Sequence, residues 1–310
     1  MTRFLLYGVL VACVLGAAVT AAQQPILRGG GAIVRVFVTV TDRDGRLATT
    51  LTQNDFEVRD EGKAQPITLF DNSPQPIRMI VMLDVSGSMM GNMPLLRASS
   101  EQLFVRLRQD DLAKVGVFGH QVTISPTFTR NSRELLAALP QGIAEDAPTP
   151  LWRGIDDAMK AFGDVTDARK VVVVLSDGRD SGPMFRQPYV SQVEVIERAR
   201  ANDVMVYAIG MRSRMVGGNL SNPFQTLSSD LPDPGLAKVA EESGGGFLEI
   251  SPRQDLGAAF AQVADELHSQ YLLGFVPPKP DGKVHDLDVR VVGQKGMKPR
   301  GRKSYVAPKE

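Results

Sequence analysis

Three short oxygen-bearing side chains, Asp84, Ser86 and Ser88, alternate along a loop that leaves the apolar run Met79 to Leu83. Oxygens at alternate positions on one loop can converge on a single small, hard cation, because such ions take carboxylate and hydroxyl ligands. A second carboxylate, Asp177, follows a second apolar run, Val171 to Leu175, in the phrase Ser176-Asp177-Gly178. The Asp-x-Ser-x-Ser pattern alone is a weak signal, since Ser, Asp and Gly are ordinary loop residues. Other chemistries find less support. Ser86 has no G-x-S-x-G elbow around it and no histidine brought near it by chain order, so a hydrolytic nucleophile is not expected and the chain reads as non-enzymatic. His120, His268 and His285 fall on a turn, a helix end and a strand. No two of them have zinc-ligand spacing, and they read as surface or capping residues.

The elements around these residues decide where they sit. A fully apolar run of five or more residues is what a strand buried on both sheet faces looks like. From Ile77 onward such strands (Ile77 to Val85, Leu112 to Phe118, Val171 to Leu175, Val204 to Ile209, Phe247 to Ile250) alternate with helical patterns. The helices are expected at Pro94 to Gln109, after the Asn131 cap, after Thr149, from the Ser191/Glu194 capping box, after Asp233-Pro234, and from a Ser251/Gln254 cap. Val122 to Phe128 forms a hairpin with the strand before it, and Met215 to Asp230 is a loop. Alternation of this kind predicts an α/β fold: a doubly wound, mostly parallel sheet with helices on both faces. In such sheets ligands sit beyond the carboxyl ends of the strands, where Asp84 and Asp177 both fall.

The flanks have a different period. Val34, Val36, Val38 and Val40 alternate with other residues as in a half-buried strand, with turns at Asp42 to Gly45 and Asp60 to Lys63. Leu47 to Thr52, Phe56 to Asp60 and Ile67 to Phe70 read as further short strands, and so do Tyr271 to Val276, Val284 to Val292 and Lys303 to Val306 in the tail. Neither flank can bury an apolar face alone, so the two are expected to pair as a small β-sandwich into which the α/β unit is inserted. The expected division is 1–22 leader, 23–75 N-terminal β unit, 76–270 α/β domain and 271–310 C-terminal strands. Lys295, Lys298, Arg300, Arg302 and Lys303 read as edge-strand charges that discourage unwanted sheet pairing.

Asp84-x-Ser86-x-Ser88 after an apolar strand, Thr149 before a helix and Asp177-Gly178 after another apolar strand resemble the metal-ion-dependent adhesion site of von Willebrand factor type A domains. The flanking phrases FVTVTDRDGRLATTLTQNDFEVRDEGK and QYLLGFVPP, at Phe37 to Lys63 and Gln270 to Pro278, are similar to those of the secreted bacterial branch of that family. The resemblance implies that Ser86 and Ser88 bind Mg²⁺ directly, with Thr149, Asp84 and Asp177 bound directly or through water; Mn²⁺ is the alternative ion. It also implies that an Asp or Glu of a partner protein completes the ion's shell. A second reading is a structural part of a cell-envelope assembly in which the metal only stabilises the fold. After Thr149 this sequence has Pro150-Leu151-Trp152 where the family often has a small residue then an aromatic, which makes Trp152 a candidate partner contact or else a packed helix-start residue. Asp180 reads as a solvated loop acid.

Composition bounds the rest. With 310 residues, 43% hydrophobic and 23% charged, the chain is globular in character. Lys plus Arg equals Asp plus Glu, 35 each, so no global field points to nucleic acid. Arg3, the apolar stretch Phe4 to Val19 and the small residues Thr20 to Ala22 form a secretory signal pattern, cut after Ala21 or Ala22. The mature chain is then periplasmic or secreted and has no membrane span; a signal anchor, or lipidation at Cys13, is the less favoured alternative. Cys13 is the sole cysteine, so the exported part has no disulfide.

Overall fold

The first described strand, β1 (Val34–Thr41), buries Val34, Val36, Val38 and Val40 because alternate side chains of a strand share one face. The computed structural model describes residues 32–182, 188–212, 232–251 and 255–309. The leader, the lead-in up to Gly31, the loop Met215 to Asp230 and the cap given to Gln254 therefore lie outside the described residues. After β1 come β2 (Phe56–Asp60), β3 (Lys63–Gln65) and β4 (Leu69–Asp71). The strand expected over Leu47 to Thr52 does not form beyond a single bridge from Leu47 to Thr41. Instead the Asp55 carboxylate accepts from the Thr52 backbone N–H at 2.7 Å and its hydroxyl at 2.8 Å, and this capping box opens a 3₁₀ turn over Gln53–Asp55. β3 was not anticipated; the tight turn at Glu61-Gly62 returns it antiparallel to β2.

The α/β part follows, beginning with β5 (Ile77–Asp84) and a 3₁₀ turn over Gly87–Asn92. Next are α1 (Met93–Phe104), β6 (Leu112–Phe118), β7 (Val122–Ile124), α2 (Ser132–Ala137) and α3 (Leu151–Lys160). The remainder is β8 (Arg169–Ser176), α4 (Gln192–Asn202), β9 (Val204–Met211), α5 (Gly235–Ser243), β10 (Phe247–Ile250) and α6 (Leu256–His268). Helix α1 stops at Phe104 rather than Gln109, because Asp111 accepts from the Arg108 N–H at 2.8 Å and the Ile77 N–H at 3.0 Å and ties the chain into a turn. The last helix is capped by Asp255, which accepts from the Gly257 N–H at 2.8 Å.

Among the described residues the central sheet has six strands in the order β10-β9-β8-β5-β6-β7, parallel throughout except for the β6–β7 hairpin. β5 sits between β8 and β6, with Val81 level with Val173 on one side and Val115 on the other. Its side chains divide between two cores. Met79, Val81 and Leu83 face α1 and α6, meeting Leu96, Phe104, Phe260 and Val263. Ile80 and Met82 face α3, α4 and α5, meeting Ile155, Val195 and Leu236. The doubly wound reading holds, and it explains why the strands are apolar on both faces.

The tail contributes β11 (Tyr271–Phe275), β12 (Val284–Val291), β13 (Lys298–Arg300) and β14 (Ser304–Val306). These join the N-terminal strands in two antiparallel sheets, β13-β1-β11-β4 and β14-β12-β2-β3, around a shared core of Val36, Val38, Val58, Leu273, Phe275 and Leu287. Polar groups bind this sandwich to the α/β part. Arg169, 7% exposed, donates to Gln270 and to the Leu267 carbonyl at 2.7 Å, and stacks over Phe37. Gln270 donates to Thr39 Oγ1 at 2.8 Å. Arg300 donates to Glu266 and the Tyr207 hydroxyl, and Arg302 to Asp203 and the Arg35 carbonyl. Arg300 and Arg302 are thus pins between the two parts, not free edge charges.

The histidines also differ from expectation. His268 Nε2 lies 2.7 Å from Asp111, and His285 is 4% exposed between Asp60 (2.9 Å) and Asp281 (3.2 Å), with the Tyr305 hydroxyl 3.1 Å from Asp60. Burial works against a charged ring at His285, but the two carboxylates outweigh it and hold its pKa above the usual 6.5. The stabilisation this provides is fully present below about pH 6.5 and is lost as pH rises through the folded-state value. His285→Ala should cost about 3 kcal/mol by stranding Asp60. Urea unfolding from pH 6 to 9 should show wild-type stability falling relative to His285→Gln; parallel curves would contradict the charged clamp.

Candidate functional site

β5 and β8 run parallel with Leu83 level with Leu175, so Asp84 and Ser176 arrive together at the carboxyl edge of the sheet. Asp84 is 0% exposed. One of its oxygens accepts from the Ser86 N–H at 2.8 Å, which bends the chain into the loop, and the other accepts the Ser176 hydroxyl. Ser86 Oγ lies 3.0 Å from Ser88 Oγ, and Ser88 donates to Asp177 Oδ1 at 2.7 Å. Thr149, 8% exposed at the entrance to α3, sets its hydroxyl over the Asp177-Gly178 turn; a Cβ on Gly178 would stand 3.1 Å from Thr149 Oγ1. Its backbone N–H is held by Ser181 Oγ at 2.8 Å. The structure therefore links Asp84, Ser86, Ser88 and Asp177 in one chain of contacts, with Thr149 against the far end.

Electrostatics sharpen the picture. Burial pushes Asp84 up to about 6, against hydrogen bonds from Ser176 and Ser86 that pull it down, and the nearby Asp177 adds to the rise. Asp177, 1% exposed, is also raised by burial, against the Ser88 hydrogen bond. Among the described residues no Lys, Arg or His pairs with either carboxylate, and Asp177 Oδ2 is buried without a hydrogen-bond partner. Two buried carboxylates lacking a protein cation, with hydroxyls beside them and no nitrogen or sulfur donor, suit a hard divalent ion. The residues fit a metal of that class. Ser88 faces solvent, so the site opens outward.

Trp152 follows the packed alternative, and Asp180 behaves otherwise than the sequence suggested. Trp152 is 4% exposed and packs in the core beneath α3 with Leu236 and Val239, its ring against Gly235, so it is not a partner contact. Asp180 is half-buried and accepts from the Trp152 N–H at 3.3 Å, capping α3 instead of standing in solvent. Sequence reasoning gave no role to Ser176, which fixes Asp84; Asp233, expected to open a helix, accepts from the Gly235 N–H at 2.8 Å there and also holds the Asp180 N–H at 3.0 Å. Aligning the two apolar strands residue by residue would have exposed Ser176, since it falls beside Asp84.

A mostly parallel α/β sheet with an oxygen-rich, cation-deficient site at its carboxyl edge is the class that fold and site define. Residues 79–243, more than half of the chain, match the von Willebrand factor type A domain family, and the chain belongs to that family. No curated protein matches the sequence. Solved structures of similar shape include a von Willebrand factor type A protein from Catenulispora acidiphila, 12% identical over 91% of this chain and 76% of that one, with a TM-score of 0.46. An aerotolerance-related membrane protein from Bacteroides fragilis is 14% identical over 62% of this chain and 98% of that one, TM-score 0.44. Proximal thread matrix protein 1 from the mussel byssus, solved with zinc in its MIDAS motif, is 15% identical over 68% of this chain and 50% of that one, TM-score 0.49. Likenesses this distant carry no argument about chemistry.

Close backbone approach holds the loops together. Gly87 donates its N–H to the Ala147 carbonyl at 3.0 Å, and a Cβ there would stand 2.0 Å from the Glu145 carbonyl oxygen. Gly87→Ala should push the Ser86–Ser88 loop from its neighbour and cost about 1–3 kcal/mol in chemical unfolding. Gly142→Ala, with nothing within 4 Å of the added methyl, is the control and should leave stability unchanged.

Proposed function

We propose that this chain is an exported, non-enzymatic protein-binding module of the secreted bacterial branch of its family. A Mg²⁺ ion (Mn²⁺ in its absence) is held by Asp84, Ser86, Ser88, Thr149 and Asp177, and a partner's Asp or Glu completes the ion's coordination. Residues 76–270 are the binding part, and the flanks 23–75 and 271–310 are its mount. The observation that carries this reading is the buried pair Asp84 and Asp177, without a cation among the described residues and with Asp177 Oδ2 unpartnered. Mg²⁺ prefers six oxygens and rarely takes all of them from one protein, which leaves room for an incoming carboxylate.

Export is supported by the signal pattern in the first 22 residues. Among the described residues, no helix is long and apolar enough to cross a membrane. A non-enzymatic role is supported by the histidines, each engaged away from Ser86: His120 with Asp146, His268 with Asp111, and His285 with Asp60 and Asp281. One observation favours the structural alternative. Asp84 ties Ser86 and Ser176 together, so an ion at this place would also brace the fold.

The test uses Mg²⁺ and EDTA with wild type and Ser88→Ala, a partly solvent-facing donor whose loss leaves the core intact. Mg²⁺ at a hundred times its dissociation constant should stabilise wild type by about 2.7 kcal/mol in thermal melting. Ser88→Ala should lose most of that gain, and its metal-free stability should fall by about 1–3 kcal/mol because Asp177 loses its hydroxyl donor. Capture of a partner from the native periplasm or medium should occur in Mg²⁺, vanish in EDTA and vanish with Ser88→Ala. A melting shift with no EDTA-sensitive capture would favour the structural alternative.

A further inference from the structure

Two side chains on the loops that form the site face solvent. Met90 stands two residues beyond Ser88 and is 46% exposed, whereas its neighbour Met89 is fully buried in the core. Arg179 stands two residues beyond Asp177 and is exposed; among the described residues it makes neither a hydrogen bond nor an ion pair. Ser88 and Asp177 touch at 2.7 Å, so Met90 and Arg179 flank the site on the two loops that form it. Neither acid beside Arg179 pairs with it: Asp177 is buried in the site, where Ser88 donates to its Oδ1, and Asp180 turns inward to the N-terminus of α3 and to the Gly182 N–H at 2.9 Å. Arg179 therefore presents its guanidinium to solvent, where an incoming carboxylate can meet it.

We propose that Arg179 selects partners carrying a second carboxylate close in sequence to the one that meets the metal, with Met90 giving an apolar footing on the opposite side. This rests on the metal-bridged reading above. The class of partner is an extended acidic segment of a protein. Extended chain advances about 3.3–3.6 Å per residue, so a second acid within three positions of the first covers the short span from the Asp177 turn to a guanidinium two residues on. Arginine suits the task because its fork of N–H donors binds a carboxylate through two parallel hydrogen bonds.

A peptide array provides the test. Each peptide has one fixed Asp in a Gly/Ser background, and each of the three positions on either side is varied through all the amino acids. The array is probed with the full chain as wild type, Arg179→Gln and Arg179→Glu, in Mg²⁺ and in EDTA. Wild-type binding in Mg²⁺ should rise several-fold when a flanking position is Asp or Glu. Arg179→Gln should lose that preference while keeping the EDTA-sensitive signal for the single Asp, and Arg179→Glu should shift the preference to Lys or Arg. An EDTA-sensitive signal with no flanking-charge preference, or with one unchanged in both variants, overturns the role of Arg179 alone. A signal insensitive to EDTA, or no signal, overturns the metal-bridged reading and this inference with it. Arg179 is exposed and unpaired among the described residues, so both variants should fold as wild type does; matching melting curves check this.

Discussion

A carboxylate with no accessible surface must have its charge answered, and Asp84 is the point where that requirement shapes this protein. It ends the strand at the middle of the sheet, where neighbouring strands and helices remove water from every side. Two hydrogen bonds, from the Ser86 backbone and the Ser176 hydroxyl, are what the chain offers in return. They bend the first loop and lock it to the second, so the local cost of burying the charge is what arranges the hydroxyls. Asp177 repeats the situation one strand away with less help, since one of its oxygens has no donor. The loops are held in register by an anion that they do not fully satisfy.

At the opposite end of the α/β part, charged side chains find partners within the protein. There the largely buried arginines meet groups of the protein, Arg169 the Gln270 amide and the end of α6, Arg300 Glu266 and Tyr207, Arg302 Asp203, although the Nε of each has no acceptor. Linked polar groups in a low-dielectric setting resist displacement, because moving any member strands the others. The sandwich therefore meets the α/β part through directional bonds as well as apolar packing, and α6 runs from that seam along the sheet beside α1. The rim holds buried carboxylates without a cation among the described residues, whereas each arginine of the base meets a carboxylate or a carbonyl of the protein.

Much of this was legible in the residues, for identifiable reasons. The apolar runs at Met79 to Leu83 and Val171 to Leu175 had to be interior strands, and the Ser191/Glu194 capping box marked the start of α4 where the structure has it. The valine alternation of β1 gave its inward face correctly. What escaped was whatever depended on distant partners. Nothing local in Arg300 or Arg302 distinguishes a pin from an edge charge until Glu266 and Asp203 are placed opposite. His285 looked like a surface strand residue because Asp60 lies far back in the chain. For Trp152 the residues left a packed and a partner-facing reading open, and the contact with Gly235 decides for the packed one. At the candidate site Asp84, Ser86, Ser88 and Asp177 were visible as types and spacings and Thr149 through the family resemblance, whereas the Ser176 buttress appeared only once two strands were aligned.

The pairing of β4 with β11 has a topological consequence. Asp71, the last residue of β4, lies opposite Leu272, near the start of β11, so the chain departs from the sandwich and returns to it at adjacent places. To the sandwich, everything in between is a single loop, and loop-closure entropy grows only logarithmically with length. A short hairpin connection across that gap would satisfy the same register. The sandwich is thus a socket with two neighbouring terminals, into which a differently built insert of any size can be spliced provided its own ends lie side by side.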